Sequence, residues 1–262
     1  MSIERVSLEL TRQCRKGCHF CYNGSNAAGA TSWSVEEVVS FASDCARNGV
    51  KALSLGGGEP LEYEGIFEVL RALNGVVFRS MTTNGLLLDT HFETLANAKP
   101  EKVHVSVHYP SNMAEVERVI RQVTALEDAG IRSGINFLVR QSDVDAAKVA
   151  AAKVRAAGIE NERVTYLPMR GEDTPTSKEI AAVAGGPFQS MSCLLACRKS
   201  ERFCSVAADK SVAWCSYTRT RRLMNDATWR GLEEALRDLG LEFCGGDAIL
   251  ARSLRRTTNL PQ

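Results

Sequence analysis

Between residues 3 and 167 the chain alternates short β-rich runs with longer amphipathic stretches, and this alternation restricts its fold more than any other feature. Residues 5–10, 51–55, 76–82, 102–108, 131–139 and 163–167 read as strands. The stretches between them read as helices. Ser34 with Glu37 makes a capping box ahead of the first, with Trp33 and Val38 as its hydrophobic staple. A later stretch places Met113, Val116, Val119, Ile120, Val123 and Leu126 on one face before Gly130 stops it. Val144, Ala147, Ala151 and Val154 repeat the pattern, ended by Gly158. Six such units predict a parallel sheet with helices outside. A complete eight-unit barrel takes ~250 residues, and the alternation stops well short of that. The expected fold is therefore α/β: a partial (β/α)6 TIM-like barrel over residues 1–170, open on one side. In such folds, sites form at the C-terminal ends of the strands.

Beyond residue 168 the character changes. "MRGEDTPTSKE" reads as a polar loop, and "AGGPFQS" punctuates again. "RFCSVAADKSVAWCS" predicts two short strands joined by a turn at Asp209-Lys210. "TWRGLEEALRDLG" predicts a helix with Trp229, Leu232, Leu236 and Leu239 on one face. Residues 171–262 are thus expected to form a small C-terminal hairpin-plus-helix domain. Lys and Arg total 32 against 31 for Asp and Glu, so no polyanionic partner is implied and nucleic acid is not expected. No segment approaches the ~18 uninterrupted apolar residues of a membrane helix, and the N-terminus is not a secretory peptide. The expectation is a cytoplasmic, enzyme-sized protein.

Nine cysteines are many for such a chain. In a reducing compartment, clustered spacing points to metal rather than disulfides. Cys14, Cys18 and Cys21 form one group, directly after the first strand. Cys193, Cys197, Cys204, Cys215 and Cys244 form a second, and Cys45, on the apolar face with Val38 and Ala42, reads as core. Four cysteines are the common way to hold a [4Fe–4S] cluster. Three leave one iron with an exchangeable position, much as a catalytic zinc keeps one open. The competing reading is a zinc site completed by His19 or a distant residue.

Cys14-x3-Cys18-x2-Cys21, with Phe20 before the last cysteine, resembles the signature of radical S-adenosylmethionine (SAM) enzymes. In that family the three cysteines hold a [4Fe–4S] cluster whose open iron takes the amino and carboxylate groups of SAM. Reductive cleavage yields a 5′-deoxyadenosyl radical that abstracts hydrogen from substrate. "LSLGGGEP" follows the second strand, where Gly56, Gly57 and Gly58 would let backbone approach a ligand and Glu59 could accept from an ammonium. It resembles the family's GGEP motif. "TTNG" at 82–85, which includes Asn84, resembles its T-N-G turn. By the same resemblance, Ser106 and His108 after the fourth strand face the ribose of SAM. Asn136 and Arg140 near the fifth would reach its carboxylate or ribose, and Met169 and Arg170 follow the sixth.

"FCSVAADKSVAWC" resembles the strand–turn–strand–cysteine unit of the auxiliary-cluster domains called SPASM and twitch. Mapped onto it, Cys193 precedes the hairpin, Cys215 ends it and Cys244 follows the last helix, with Cys197 or Cys204 as the fourth ligand of a second, auxiliary [4Fe–4S] cluster. Zinc could fill the same ligands. The layout is similar to the aminocyclitol dehydrogenase of butirosin biosynthesis, which implies a two-electron oxidation or bond formation on a small natural-product-type molecule. A flavodoxin or ferredoxin-type protein would supply electrons. The alternative is a peptide substrate, in a maturase that makes thioether or carbon–carbon crosslinks. Such relatives often carry a leader-binding domain before the barrel, whereas this chain opens at its first strand, which favours the small molecule. The run Arg219-Thr220-Arg221-Arg222 would greet an anionic substrate or an acidic electron donor. The non-enzymatic alternative is a zinc-binding interaction module, which gives no reason for GGEP.

Overall fold

The structure is a computed structural model and describes residues 2–190 and 199–242. Six parallel strands, β1 (Arg5–Thr11), β2 (Ala52–Gly57), β3 (Phe78–Thr83), β4 (Lys102–Val107), β5 (Arg132–Val139) and β6 (Val164–Pro168), lie side by side in chain order. Helices α1 (Val35–Arg47), α2 (Ile66–Ala72), α3 (Leu88–Ala98), α4 (Met113–Asp128) and α5 (Val144–Ala156) connect them. This is the expected partial barrel, each strand within two residues of its predicted place.

Strand alternation sorts the side chains between two environments. Val6, Leu8 and Leu10 of β1, Leu53 and Leu55 of β2, and Val103, Val105 and Val107 of β4 are buried in one apolar core with the helix faces. Burial of each such side chain stabilises the fold by about 1.5–3 kcal/mol. The intervening positions face the lumen and are polar: Ser7 and Glu9, Ser54, Thr82, Ser106 and Asn136. One helix-facing position breaks the rule. Arg79, 1% exposed, stands among apolar residues on β3. Its guanidinium donates to Glu101 at 2.7 and 2.9 Å and to the carbonyls of Leu70, Ala98 and Lys99, so the buried charge is fully answered.

The predicted capping box of α1 is present, with Glu37 N donating to Ser34 Oγ at 3.1 Å and Ser34 N donating to Glu37 at 3.0 Å. A second box, Thr176 with Glu179, starts α6 (Ser177–Ala184) inside the stretch expected to be loop. Its product, β7 (Gln189–Ser190), pairs parallel with β6. Eight residues of helix between glycine-rich flanks carry too little periodicity to stand out.

The predicted hairpin forms as β8 (Phe203–Val206) and β9 (Ser211–Ala213), antiparallel, with Lys210 at φ 66° in the turn. It does not form a sheet of its own. β8 runs parallel to β1, Arg5 opposite Phe203 through Leu8 opposite Val206. β10 (Arg222–Leu223) adds to β9, and the sheet order is β10-β9-β8-β1-β2-β3-β4-β5-β6-β7. The hairpin therefore widens the barrel sheet at the β1 edge, beside the strand that leads into the first cysteines. The last described helix, α7 (Trp229–Leu236), ends before Leu239, whose carbonyl accepts from Trp214 Nε1 at 3.0 Å. No described helix is long and apolar enough to cross a membrane.

Candidate active site

The C-terminal ends of the strands open on a cavity of about 750 Å³. Cys14, Cys18 and Cys21 all line it, on a loop whose ends are tied together. Gln13 bridges Asn26, Cys14 N donates to Asn26 O at 2.9 Å, and Asn26 N donates to Arg12 O at 3.1 Å. The cysteines are half-buried. Burial pushes the thiols of Cys14 and Cys18 above their usual range. For Cys14, hydrogen bonds from the Gly17 and Lys16 backbone oppose that; for Cys18, Tyr109 and the Lys16 ammonium do. Asn84 Nδ2 lies 3.6 Å from Cys14 Sγ. Cys14 and Cys18 are thus met by donors, whereas Cys21 Sγ donates to Asn23 Oδ1 at 3.0 Å.

The glycine run behaves differently from its sequence reading. A Cβ on Gly58 would stand 2.1 Å from the Gln13 carbonyl oxygen, and one on Gly57, at φ 115°, 2.6 Å from that of Thr11. Both are glycine because the cysteine loop's own entry strand presses on them, with Gly58 N donating to Thr11 O at 2.6 Å and Glu59 N to Gln13 O at 2.8 Å. Only Gly56 of the three has open space around it. Asn23 adds a further tie, its Nδ2 donating to Gly57 O at 3.2 Å while its Oδ1 lies 3.0 Å from Cys21 Sγ.

Glu59, 1% exposed, is a bracket. Oε1 accepts from Thr83 Oγ1 at 2.7 Å and Leu61 N at 3.1 Å, and Oε2 from Asn84 N at 2.7 Å. Burial pushes its carboxyl upward, and those three donors pull the other way. Two carboxylate oxygens offer about four acceptor sites, so room remains for a donor from the cavity. The Thr83–Asn84 turn is pinned from behind by α4, Gln122 Nε2 donating to Gly85 O at 2.8 Å and Arg118 Nη2 to Asn84 O at 3.2 Å.

Phe20, Ser106, His108 and Asn136 line the same cavity. The Phe20 ring stacks on His108 with centroids 6.4 Å apart and meets Tyr109 at 5.4 Å. Burial beside the Lys16 ammonium pushes His108 down to about 4, so the ring is neutral; Glu115 Oε1, 3.9 Å away, accepts from the His108 backbone at 2.6 Å. Asn136 Oδ1 lies 2.8 Å from His104 Nδ1, and its amide reaches Thr82 Oγ1 at 3.3 Å. Arg140 departs from expectation. It is not among the lining residues; it pairs with Asp143 and covers the outer faces of Phe20 and Tyr109 at 5.5 and 5.9 Å.

His19 is exposed and turned away from the cavity lining, which leaves the zinc reading without its nearest fourth ligand. Among the described residues, no three His, Cys, Asp or Glu side chains stand close enough to hold a single metal ion. Cys14, Cys18 and Cys21 share the lining of one cavity.

Of the second cysteine group, Cys193, Cys197 and Cys244 lie outside the described residues. Cys204, 0% exposed, sits in the core opposite Val6, and burial pushes its thiol far up, as it does Cys45, to about 12. Cys204 thus packs in the core and is not among the cavity-lining residues. Cys215 is half-buried just past β9, and the next residues, Ser216–Arg219, line the cavity. In the basic run, Arg221 is occupied by Ser205 and Ser211, and Arg222 by the Arg237 carbonyl.

Sequence reasoning missed four residues here. Tyr109 and Lys16 bear on Cys18, Arg12 ties the cysteine loop to Asp209 of the hairpin turn at 3.0 Å, and Glu9 lines the cavity. An acidic residue at a lumen position of an otherwise apolar strand, "VSLEL", was the readable signal for Glu9.

Comparison with known proteins agrees with this geometry. The chain matches the radical SAM superfamily over residues 8–181. A probable GTP 3′,8-cyclase of Methanocella arvoryzae is 37% identical over 105 residues, 40% of this chain and 34% of that protein. One of Thermococcus kodakarensis is 31% identical over 140 residues, 52% and 45% of the two chains. The chain thus spans a third to half the length of these curated relatives. Streptococcus suis SuiB bound to S-adenosylmethionine superposes with a TM-score of 0.68 over 84% of this chain and 63% of its own, at 14% identity. Native anSMEcpe with bound AdoMet gives 0.64 over 98% and 100%, also at 14%. Such identity shows the fold alone; the family match covers more than half of the chain, which belongs to the radical SAM superfamily of enzymes, a membership that implies a [4Fe–4S] cluster and SAM.

Proposed function

We propose that Cys14, Cys18 and Cys21 hold the [4Fe–4S] cluster and that SAM lies in the adjoining cavity, where the enzyme abstracts hydrogen from a small natural-product-type molecule. The carrying observation is the convergence on one cavity of the three cysteines, the open side of Gly56, Glu59 and Asn84. A cluster held by Cys14, Cys18 and Cys21 would supply the electron for reductive cleavage of SAM in this cavity. The chain's own residues hold and orient. Asn84 and Tyr109 donate toward Cys14 and Cys18, and such donors tune a cluster's potential. Gly56 leaves room for the methionine part and Glu59 accepts from its ammonium. Ser106 and Asn136 meet the ribose, and Phe20 with His108 excludes water from one side.

We read residues 171–262 as a twitch-like unit in which Cys193, Cys197, Cys215 and Cys244 hold an auxiliary [4Fe–4S] cluster. Supporting this, Cys215 precedes residues that wall the cavity, and β8 sits directly against β1. A cluster so placed would take up the electron left on a substrate radical and yield a net two-electron oxidation. A flavodoxin or ferredoxin-type donor would supply reducing electrons. The peptide reading is favoured by one observation, that similar folds include SuiB bound to its precursor peptide SuiA and anSMEcpe with a peptide.

Deuterium transfer decides between them. The reconstituted, reduced enzyme is given SAM with deuterated aminocyclitol, GTP or peptide, and label is sought in 5′-deoxyadenosine. Label from the aminocyclitol supports the small-molecule reading. Label from the peptide or GTP alone replaces it.

A further inference from the structure

Two carboxylates, Glu59 and Glu9, line the cavity alongside Arg12, Lys16, Arg170, Arg219 and Arg221, and the SAM-binding arrangement leaves Glu9 unused. Glu9, on the lumen face of β1, is 5% exposed and stands in register with Gly56, the glycine with open space around it. Its Oε1 accepts from the Tyr22 hydroxyl at 3.1 Å. Its Oε2 is buried with no hydrogen-bond partner, and among the described residues Glu9 makes no ion pair. Arg12, three residues on, spends a guanidinium nitrogen on Asp209 instead. A buried carboxylate oxygen left without a partner is unfavourable unless a cation or donor arrives.

The surroundings name the kind of group. Tyr22 directly follows Cys21 and packs on Tyr217 with centroids 4.9 Å apart, and the Arg170 guanidinium covers Tyr217 at 5.0 Å. A carboxylate with an aromatic wall is the arrangement that recognises a protonated nitrogen, through charge pairing and attraction to the ring faces. A nitrogen held there lies one residue from the cysteine loop and on the hairpin side of the cavity, so it fixes which part of the substrate faces the reacting centre.

We propose that Glu9 is the substrate anchor and takes a protonated amine or guanidinium, so that the substrate is cationic at one end. This rests on the functional reading above, and it is tested by binding rather than turnover, so that failure of either is distinguishable. Cyclohexylamine and its neutral counterpart cyclohexanol are titrated at pH 7 into the cluster-reconstituted, SAM-loaded protein, with binding followed by saturation-transfer NMR. The wild type is expected to prefer the amine by about tenfold or more, the size of one buried charge-assisted contact. Glu9→Gln is expected to bring the two within about twofold. Equal affinities in the wild type, or a preference that survives Glu9→Gln, overturn the proposal. The wild-type comparison stands alone if the variant does not fold, and 5′-deoxyadenosine formation by the wild type separately judges the reading beneath it.

Discussion

The two groups of cysteines follow opposite structural rules. Cys14, Cys18 and Cys21 sit on a loop beyond the strand end, half-buried, lining one cavity and met by Asn84 and Tyr109. Cys204, inside a strand of the same sheet, faces the apolar core opposite Val6 and is a small hydrophobe. Cys215, past the strand end, is half-buried and directly precedes residues 216–219, which line the cavity. Among the described cysteines, Cys45 and Cys204 are packed in the core. Position relative to strand end and core face separates thiols beside the cavity from thiols packed in the core, where burial favours the protonated form.

Breaking that comparison should have its largest effect at the first group. Replacing any of Cys14, Cys18 or Cys21 with Ala should remove the iron of that site, whereas Cys204→Ala should keep all iron and lower unfolding stability by about 1–2 kcal/mol through a small cavity. Iron assay and thermal unfolding check both. Equal iron loss at Cys204 would erase the distinction. Next in size is the glycine pair. Gly58→Ala forces a Cβ 2.1 Å from the Gln13 carbonyl and should displace the cysteine loop, cutting SAM cleavage about tenfold or more. Gly56→Ala meets nothing and should leave fold and iron intact while weakening SAM binding in equilibrium titrations.

Cys215→Ala sharpens the account of the hairpin side. It should lower iron and abolish product while part of the SAM cleavage persists; unchanged iron would mean Cys215 is no ligand. Glu59→Ala should cost about 1–3 kcal/mol in denaturant unfolding, because the Leu61, Thr83 and Asn84 donors lose their acceptor. The smallest effect belongs to Tyr109→Phe. Losing the hydrogen bond to Cys18 should move the cluster potential slightly more negative in a redox titration, with iron unchanged.

The barrel was legible because its signals are local. Strand runs, the Ser34 capping box and the spacing of Cys14, Cys18 and Cys21 each lie within one short segment. The joining of β8 to β1 was not, because residues about two hundred positions apart pair through backbone groups that carry no side-chain signature. For the glycines the sequence shows where Cβ atoms are missing, and only the fold shows that Thr11 and Gln13 press on Gly57 and Gly58 while Gly56 keeps an open side. The resemblance has Arg140 reaching SAM; in the fold it pairs with Asp143 and is not among the cavity-lining residues, a placement set by a partner one turn on. Glu9 was visible as a charge in an apolar strand, but its empty oxygen required the lumen and Tyr22 to be in place.

One measurement bears most directly on the central claim, that Cys14, Cys18 and Cys21 make this cavity a site of reductive SAM cleavage. The chain is reconstituted with iron and sulfide without oxygen, reduced with dithionite and given SAM, and 5′-deoxyadenosine is quantified. The account predicts accumulation with the wild type and none when the three cysteines are replaced by Ala. Accumulation that survives the triple replacement, or a wild type that binds zinc without iron and forms none, would contradict it.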